Sequence, residues 1–310
     1  MRDSSDAGDT PVTLNHLTER IAGQQWPTHT LYVVATPIGN LGDLTLRARH
    51  ALALCDVIAA EDTRSSRALL DAWGIQTPLV AAHRHNEAHM AQALIARLQQ
   101  GERVALISDA GAPGVSDPGA RIVRAVRQAG LGVVPLPGAS AVVTALMASG
   151  ITSDENPAFI FAGFVPPKAV ARRTWLQRWC ALPAPVVMYE SPHRLAATLS
   201  DLVAVCGADR HVTLARELTK RFEQVHTATA HELVAWLAED THRSQGEFVL
   251  MVHEVSQAVD NADVAPDTLV LLDALLDTVS VRDAARIAAK VTGLPRDTLY
   301  ALALERQKTS

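Results

Sequence analysis

Between residues 31 and 149 the chain alternates short, unstriped apolar runs with segments whose apolar residues recur at the helical period. A run that is apolar on both faces is a strand covered by helices on both sides, so this half is confined to an open, mostly parallel α/β sheet. The strand candidates are LYVVA (Leu31 to Ala35), DVIAA from Asp56, LVAA from Leu79, VALIS from Val104 and GVVPL from Gly132. The helix candidates are Thr45 to Leu54, Thr63 to Trp73, Glu87 to Gln99, Gly119 to Gln128 and Ala139 to Ala148. Right-handed crossovers give such a sheet a ligand crevice at the carboxyl ends of its strands.

Turn-formers at Gly150 to Pro157 separate a second series: Phe159 to Phe164, Val186 to Glu190, Val212 to Glu217, FEQVHT from Phe222, and Phe248 to Val252. FEQVHT alternates sides, so part of this sheet is expected to be antiparallel. A linker from Ser256 to Pro266 leads to three helix candidates, Thr268 to Asp277, Val281 to Val291 and Pro295 to Leu304. Ser280 with Asp283 resembles a capping box, and Gly293 suits a helix C-terminus. The expected domains are 30–149, 150–256 and 265–310, after a polar tail, 1–29, read as disordered. A length of 310 residues with 48% hydrophobic side chains is enough for two cores and a small appendage.

Cys55, Cys180 and Cys206 are odd in number and lie in apolar runs, which fits buried thiols in a reducing cytoplasm. No apolar run approaches the roughly 20 residues that span a bilayer. The net charge of −5 argues against a protein that coats nucleic acid by bulk electrostatics, but it conceals an asymmetry. From Ala158 to Phe222 nine basic residues face four acidic ones, a pattern pointing to an anionic partner for the second domain. A solvated charged helix face gives the same pattern.

Three loops follow strands. TPIGNLGDLT (Thr36 to Thr45) closes the first strand, SDAGAPGVSDPG (Ser108 to Gly119) the fourth, and Pro137-Gly138-Ala139-Ser140 the last. Their glycines and prolines make rigid loops whose backbone a ligand can touch, and Asp109 and Asp117 suit either ribose hydroxyls or a helix cap. Walker A and GxGxxG spacings are absent, and no loop carries Lys or Arg, which disfavours a phosphate and suits a sulfonium cofactor.

These loops, with AEDTRSSRALL, FAGF, YESPHR, ARELTKRFE and GEFVLMV, resemble the ribosomal RNA small-subunit methyltransferase I family from about Leu31 to Val255. The tail from Val279 to Leu304 resembles that family's C-terminal domain. The resemblance implies two α/β domains of the tetrapyrrole-methylase (class III methyltransferase) type with a small C-terminal helical domain, and S-adenosyl-L-methionine as cofactor. It also implies a homodimer and 2'-O-methylation of a decoding-centre cytidine in 16S rRNA of the small ribosomal subunit. Cofactor contacts are then expected at Pro37 and Gly39, at Asp109, Ala110, Gly111, Pro113 and Val115, at Ser140 and Ala141, and in the second domain at Met188 and Leu250.

A ribose hydroxyl is a weak nucleophile and needs a hydrogen-bond acceptor or base. Glu190, Glu217 and Lys220 are the candidates, each following a strand of the basic domain; a salt bridge for Glu217 and a helix cap for Glu190 are the plain alternatives. Lys220 serves as base only if burial drives it towards neutrality, and otherwise anchors phosphate. RNA contacts are expected at Arg64, His83, Arg84, Arg172, Arg173, His193, Arg194 and Arg216. His83, His85 and His89 lack a carboxylate or cysteine to complete a ligand set, so no metal is expected, and Asn86 reads as a helix cap. A small-molecule methyltransferase of the same fold predicts neither the basic segment nor the tail, and a non-catalytic RNA-binding module predicts no cofactor affinity.

Overall fold

The structure is a computed structural model and describes residues 13–154, 156–254 and 265–309. The chain divides into two units, Met1–Glu254 and Val255–Ser310.

Helix α1 (Leu14–Ala22) opens the first unit, with the Thr13 hydroxyl accepting from the His16 N–H. Trp26 then packs against the Tyr32 and His50 rings, centroids 5.8 and 4.9 Å away, and its indole N–H donates to the Ile21 carbonyl. Residues 13–29 are therefore not the expected disordered tail. Ile21 and Trp26, isolated in a polar stretch, find an apolar surface that the linear pattern does not display. The rest of that expectation, 1–12, lies outside the described residues.

The first sheet comprises β1 (Thr30–Val34), β2 (Val57–Ala60), β3 (Leu79–Ala81), β4 (Arg103–Ile107) and β5 (Gly132–Leu136), all parallel, in the order β3-β2-β4-β1-β5. The strand side-chain period divides neighbours between two cores. Tyr32, Val34, Ile58 and Ala60 join one with α2 (Leu46–Leu54) and α3 (Thr63–Ala72), whereas Leu31, Val57 and Ala59 join the other with α4 (Glu87–Gln99) and α5 (Ala120–Gln128). Asn86 precedes α4 but makes no side-chain cap, its amide donating instead to the Ala81 carbonyl. Glu87 caps a different helix: its Oε1 accepts from the Gly119 and Arg121 N–H groups at the start of α5.

After α6 (Ala141–Ser149), the second sheet comprises β6 (Ile160–Phe164), β7 (Val186–Glu190), β8 (His211–Arg216), β9 (Gln224–Thr229) and β10 (Phe248–Val252), in the order β6-β7-β10-β8-β9. Only β6 and β7 pair in parallel. One face, with Met188, Leu214 and Leu250, packs on α7 (Ala169–Cys180), α8 (Leu195–Cys206) and α9 (Ala230–Glu239). The other, with Val187, Ala215, Val249 and Met251, packs on Val142 and Ala145 of α6 and on Ile38, joining the two sheets through one apolar cluster.

In the second unit α10 (Pro266–Leu276), α11 (Val281–Thr292) and α12 (Arg296–Thr309) surround Leu272, Ala284, Ala288, Leu299 and Leu302. Ser280 caps α11 and Gly293, at φ +74°, ends it. Most of the expected linker lies outside the described residues. Among the described residues no helix is long and apolar enough to cross a membrane, and no cluster of His, Cys, Asp and Glu could hold a metal ion.

Candidate active site

The three loops converge. Thr36 and Gly111 exchange backbone hydrogen bonds of 2.9 and 3.1 Å, and the Thr36 hydroxyl donates to the Ser108 carbonyl, tying the first loop to the second. Gly111 lies at φ +77°, which favours glycine. Asp109 Oδ1 accepts from the Asp62 N–H and the Ser65 hydroxyl, drawing the N-terminus of α3 onto the same edge.

A cavity of about 440 Å³ opens between these loops and the second sheet. The first half contributes Ile38, Glu61, Asp109, Ala110, Gly111, Ala112, Val115, Asp117, Ser140 and Ala141. The second contributes Phe164, Tyr189 and Phe248, with Glu190, Ser191, Pro192 and Glu247. Glu61, Asp109, Asp117 and Glu247 bring carboxyl groups to this wall, and no Lys or Arg lines it. Burial, then the charges of Asp117 and Asp109, hold the Glu61 carboxyl above its usual range. Asp117 is raised by burial and then by Asp109. The Tyr189 hydroxyl is pushed up to about 12, first by burial and then by Asp117.

A second hollow of about 410 Å³ shares Ile38, Asp109, Ala110 and Glu247 with the first and adds Pro37, Gly39, Leu41, Ser65, Ala68, Leu69 and Lys220. Lys220 Nζ donates to Glu217 Oε1 at 2.9 Å and to Glu247 Oε2 at 2.8 Å. Burial alone would lower the Lys220 ammonium, but the bonds to Glu247 and Glu217 outweigh it and raise its pKa. Glu217 is lowered: burial opposes ionisation, but Lys220 and the Glu247 N–H win. Four non-glycine residues among the described ones have positive φ, and three of them border the two hollows: Ser116 in the second loop, and Glu217 and Thr219 in the β8–β9 connection that carries Lys220. Strained backbone of this kind gathers where a site holds it in place.

Of the expected cofactor residues, Asp109, Ala110, Gly111, Val115, Ser140 and Ala141 line the main cavity, and Pro37 and Gly39 line the adjoining hollow. Pro113 lines neither and packs beside Gly119. Met188 and Leu250 are register partners whose side chains point into the helix-covered core, so they do not reach the cavity. A strand buried on both faces hides its parity, and one residue of shift reverses the facing; Tyr189 is on the cavity side.

Glu190 lines the cavity, but its carboxylate is fully buried and consumed. It accepts from the Ser191 N–H, from Arg194 Nε and from the Thr198 hydroxyl at 2.6, 2.9 and 2.5 Å, which removes it as a base. Lys220, held charged between two carboxylates, is likewise not the neutral base its position suggested.

The basic segment is largely spent inside the second domain. Arg172 is buried and bonded to Asp201, which also takes Arg173; Arg194 is bonded to Glu190, and Arg216 donates to the Gln245 carbonyl. Buried Asp201 and Glu190 require cations, so Arg172 is held inside and cannot contact RNA, while Lys168, Arg173, Arg178 and Arg221 of the same segment remain exposed. His193 is exposed. Around the cavity, Arg64 is 91% exposed and ion-paired with Asp62, and His83 and Arg84 are exposed. The Arg84 charge acts on both Glu61 and Asp117, which places it near the cavity. Glu61, Phe164, Tyr189, Glu247 and Phe248 were not among the expected site residues; the signal for Glu61 was its place at the carboxyl end of the DVIAA strand.

Two parallel-to-mixed α/β sheets joined through one cluster, with a glycine-loop cavity at the strand ends, define a class, and the family model described as Tetrapyrrole (Corrin/Porphyrin) Methylases matches residues 30–234. A second, described as the RsmI C-terminal HTH domain, matches residues 262–307. The fold is shared with a solved diphthine synthase at TM-score 0.55 and 15% identity, over 72% of this chain and 89% of that one. The chain is 47% identical to Ribosomal RNA small subunit methyltransferase I of Escherichia coli O157:H7, over 89% of this chain and 95% of that protein. It is 45% identical to the Haemophilus influenzae protein of the same name, over 89% and 97%. The chain belongs to the ribosomal RNA small subunit methyltransferase I family.

Proposed function

We propose that the chain transfers a methyl group from S-adenosyl-L-methionine to the ribose 2'-hydroxyl of a cytidine in 16S rRNA of the small ribosomal subunit. The observation that carries this reading is the main cavity: a nucleoside-sized hollow whose wall holds several carboxyls and no Lys or Arg. Carboxyls raised by burial and by one another favour a cationic ligand, and the absence of Lys and Arg disfavours a phosphate. A sulfonium with a neutral nucleoside fits both conditions.

When bound, the cofactor would supply an electrophilic methyl to the hydroxyl oxygen and depart as the neutral thioether, and the hydroxyl proton would pass to a carboxylate or water. The residues of the chain hold donor and acceptor in line, where most of the rate gain of such a displacement arises. Gly111, Val115, Ser140 and Ala141 line the cavity from the first half, and Phe164 and Tyr189 from the second. Glu217 positions Lys220, whose ammonium is a hydrogen-bond donor towards the acceptor.

Exposed Arg64, His83, Arg84 and His193 are the surviving RNA contacts, with Arg173 partly available. In the second unit Arg282, Arg286 and Lys290 are exposed at four-residue spacing on α11, a single basic face suited to a phosphate backbone. A homodimer and a cytoplasmic setting belong to the same reading.

The test is incubation of unmethylated small subunits with labelled cofactor. Alkali-resistant label at one ribose is expected; label on a base sinks the 2'-O assignment, and no binding of the cofactor by calorimetry sinks the enzymatic one.

A further inference from the structure

We propose that the second hollow is the acceptor subsite, built to take a single ribonucleoside unstacked from an RNA strand. The inference rests on the methyltransferase reading and adds to it where the acceptor enters and what holds it.

An in-line transfer needs the attacking oxygen about 3–3.5 Å from the donor carbon, so an acceptor pocket must open onto the donor cavity. The second hollow does: the two share Ile38, Asp109, Ala110 and Glu247 as a common wall. A third hollow of about 570 Å³, beside His226 and Trp236, shares no lining residue with the main cavity and fails this condition.

The walls also fit. Pro37, Leu41 and Leu69 supply an apolar surface, and Leu41 remains 52% exposed, a large aliphatic left at a rim where a flat base can cover it. Bases removed from a stack are received in such pockets on apolar surfaces with polar groups at one edge. Here the polar edge is Ser65, Lys220 and Glu247, and it adjoins the common wall because Ser65 donates to Asp109 and Lys220 to Glu247. Lys220 is fixed rather than mobile, bonded to Glu217 and Glu247 and lying across Gly39, so its ammonium is presented in one place. At about 410 Å³ the hollow falls in the range of small-ligand pockets. Arg64, exposed on the adjoining first turn of α3, stands where the flanking phosphates of the strand would pass.

Ala68 tests this because it lines the hollow from an exposed position of α3, so its replacement leaves the core untouched. Ala68→Trp should fill the hollow: S-adenosylhomocysteine binding measured by calorimetry stays within about twofold, while methylation of small subunits falls by about 100-fold, as misplacement of the acceptor predicts. Independently, the thiol of Ala68→Cys should react with iodoacetamide in the isolated protein and be shielded when unmethylated small subunits and S-adenosylhomocysteine are added together. Normal methylation by Ala68→Trp overturns the proposal whatever the labelling shows, as does an Ala68→Cys thiol that stays fully reactive in the complex. Wild-type protein that binds neither cofactor nor product overturns the methyltransferase reading itself, a separate result.

Discussion

The side-chain stem of Lys220 occupies the space above Gly39: a Cβ built at residue 39 would lie 2.6 Å from both Cγ and Cε of Lys220. Gly39 also sits at φ +150°, where L side chains are strained. Gly39→Ala should therefore destabilise the protein by about 1–3 kcal/mol and displace Lys220. Thermal denaturation of Gly39→Ala, Lys220→Ala and the double variant checks it. The steric part should vanish when Lys220 is removed, and strictly additive losses would contradict the contact.

Glu190 is expected to act through stability. Its buried carboxylate meets Ser191, Arg194 and Thr198, so Glu190→Ala strands Arg194 and should cost about 3–5 kcal/mol. Assayed well below its lowered Tm, the variant should retain most of its methylation rate. A loss of several orders of magnitude in a folded variant would restore Glu190 as a base.

Affinity for the cofactor should depend on pH. The folded protein raises Glu61 and Asp117, so it binds more protons than the unfolded chain just above the ordinary carboxylate range, and stability declines as pH rises through that window. A bound cation reverses the shift and releases protons, so S-adenosylmethionine should bind more tightly as pH rises through the same window, by up to about tenfold per unit for each group. S-adenosylhomocysteine has no sulfonium and should change less. Calorimetry between pH 5 and 8 measures the ratio; identical pH profiles for both ligands would dismiss the carboxylates as the sulfonium's partners.

Exposed and buried arginines should separate in an RNA-binding titration. Arg64→Ala should weaken binding and reduce the salt slope by about 1, with stability unchanged. Arg172→Ala should leave the slope as it is and lower Tm, because it strips a buried partner from Asp201. A reduced slope for Arg172→Ala would put that side chain back at the interface.

Replacing Arg282, Arg286 and Lys290 of α11 together by Gln should reduce affinity for small subunits without affecting S-adenosylhomocysteine binding. Unchanged affinity would leave the helical unit a role other than RNA contact.

Much was legible because it is local. The unstriped runs announced a helix-covered parallel sheet, the alternating FEQVHT announced an antiparallel strand, and the Gly- and Pro-rich loops marked the cavity. Met188 and Leu250 show where local reading stops: both belong to strands apolar on every side, and only the packing of α7, α8 and α9 decides which face is core. Arg172 shows it for charge, since the carboxylate that consumes it lies 29 residues away, and a count along the chain cannot pair them.

By itself, then, the amino-acid order determined the architecture, the family and the three loops, because strand and helix periods, caps and turn residues act over a few positions. The tertiary structure alone decided that Lys220 is clamped and charged, that Glu190 is locked away, and that Glu61, Asp117, Tyr189 and Glu247 face the cavity. Those properties depend on desolvation and on which side chains the packed fold brings together, such as Glu247 with Lys220, and neither exists until the chain has folded.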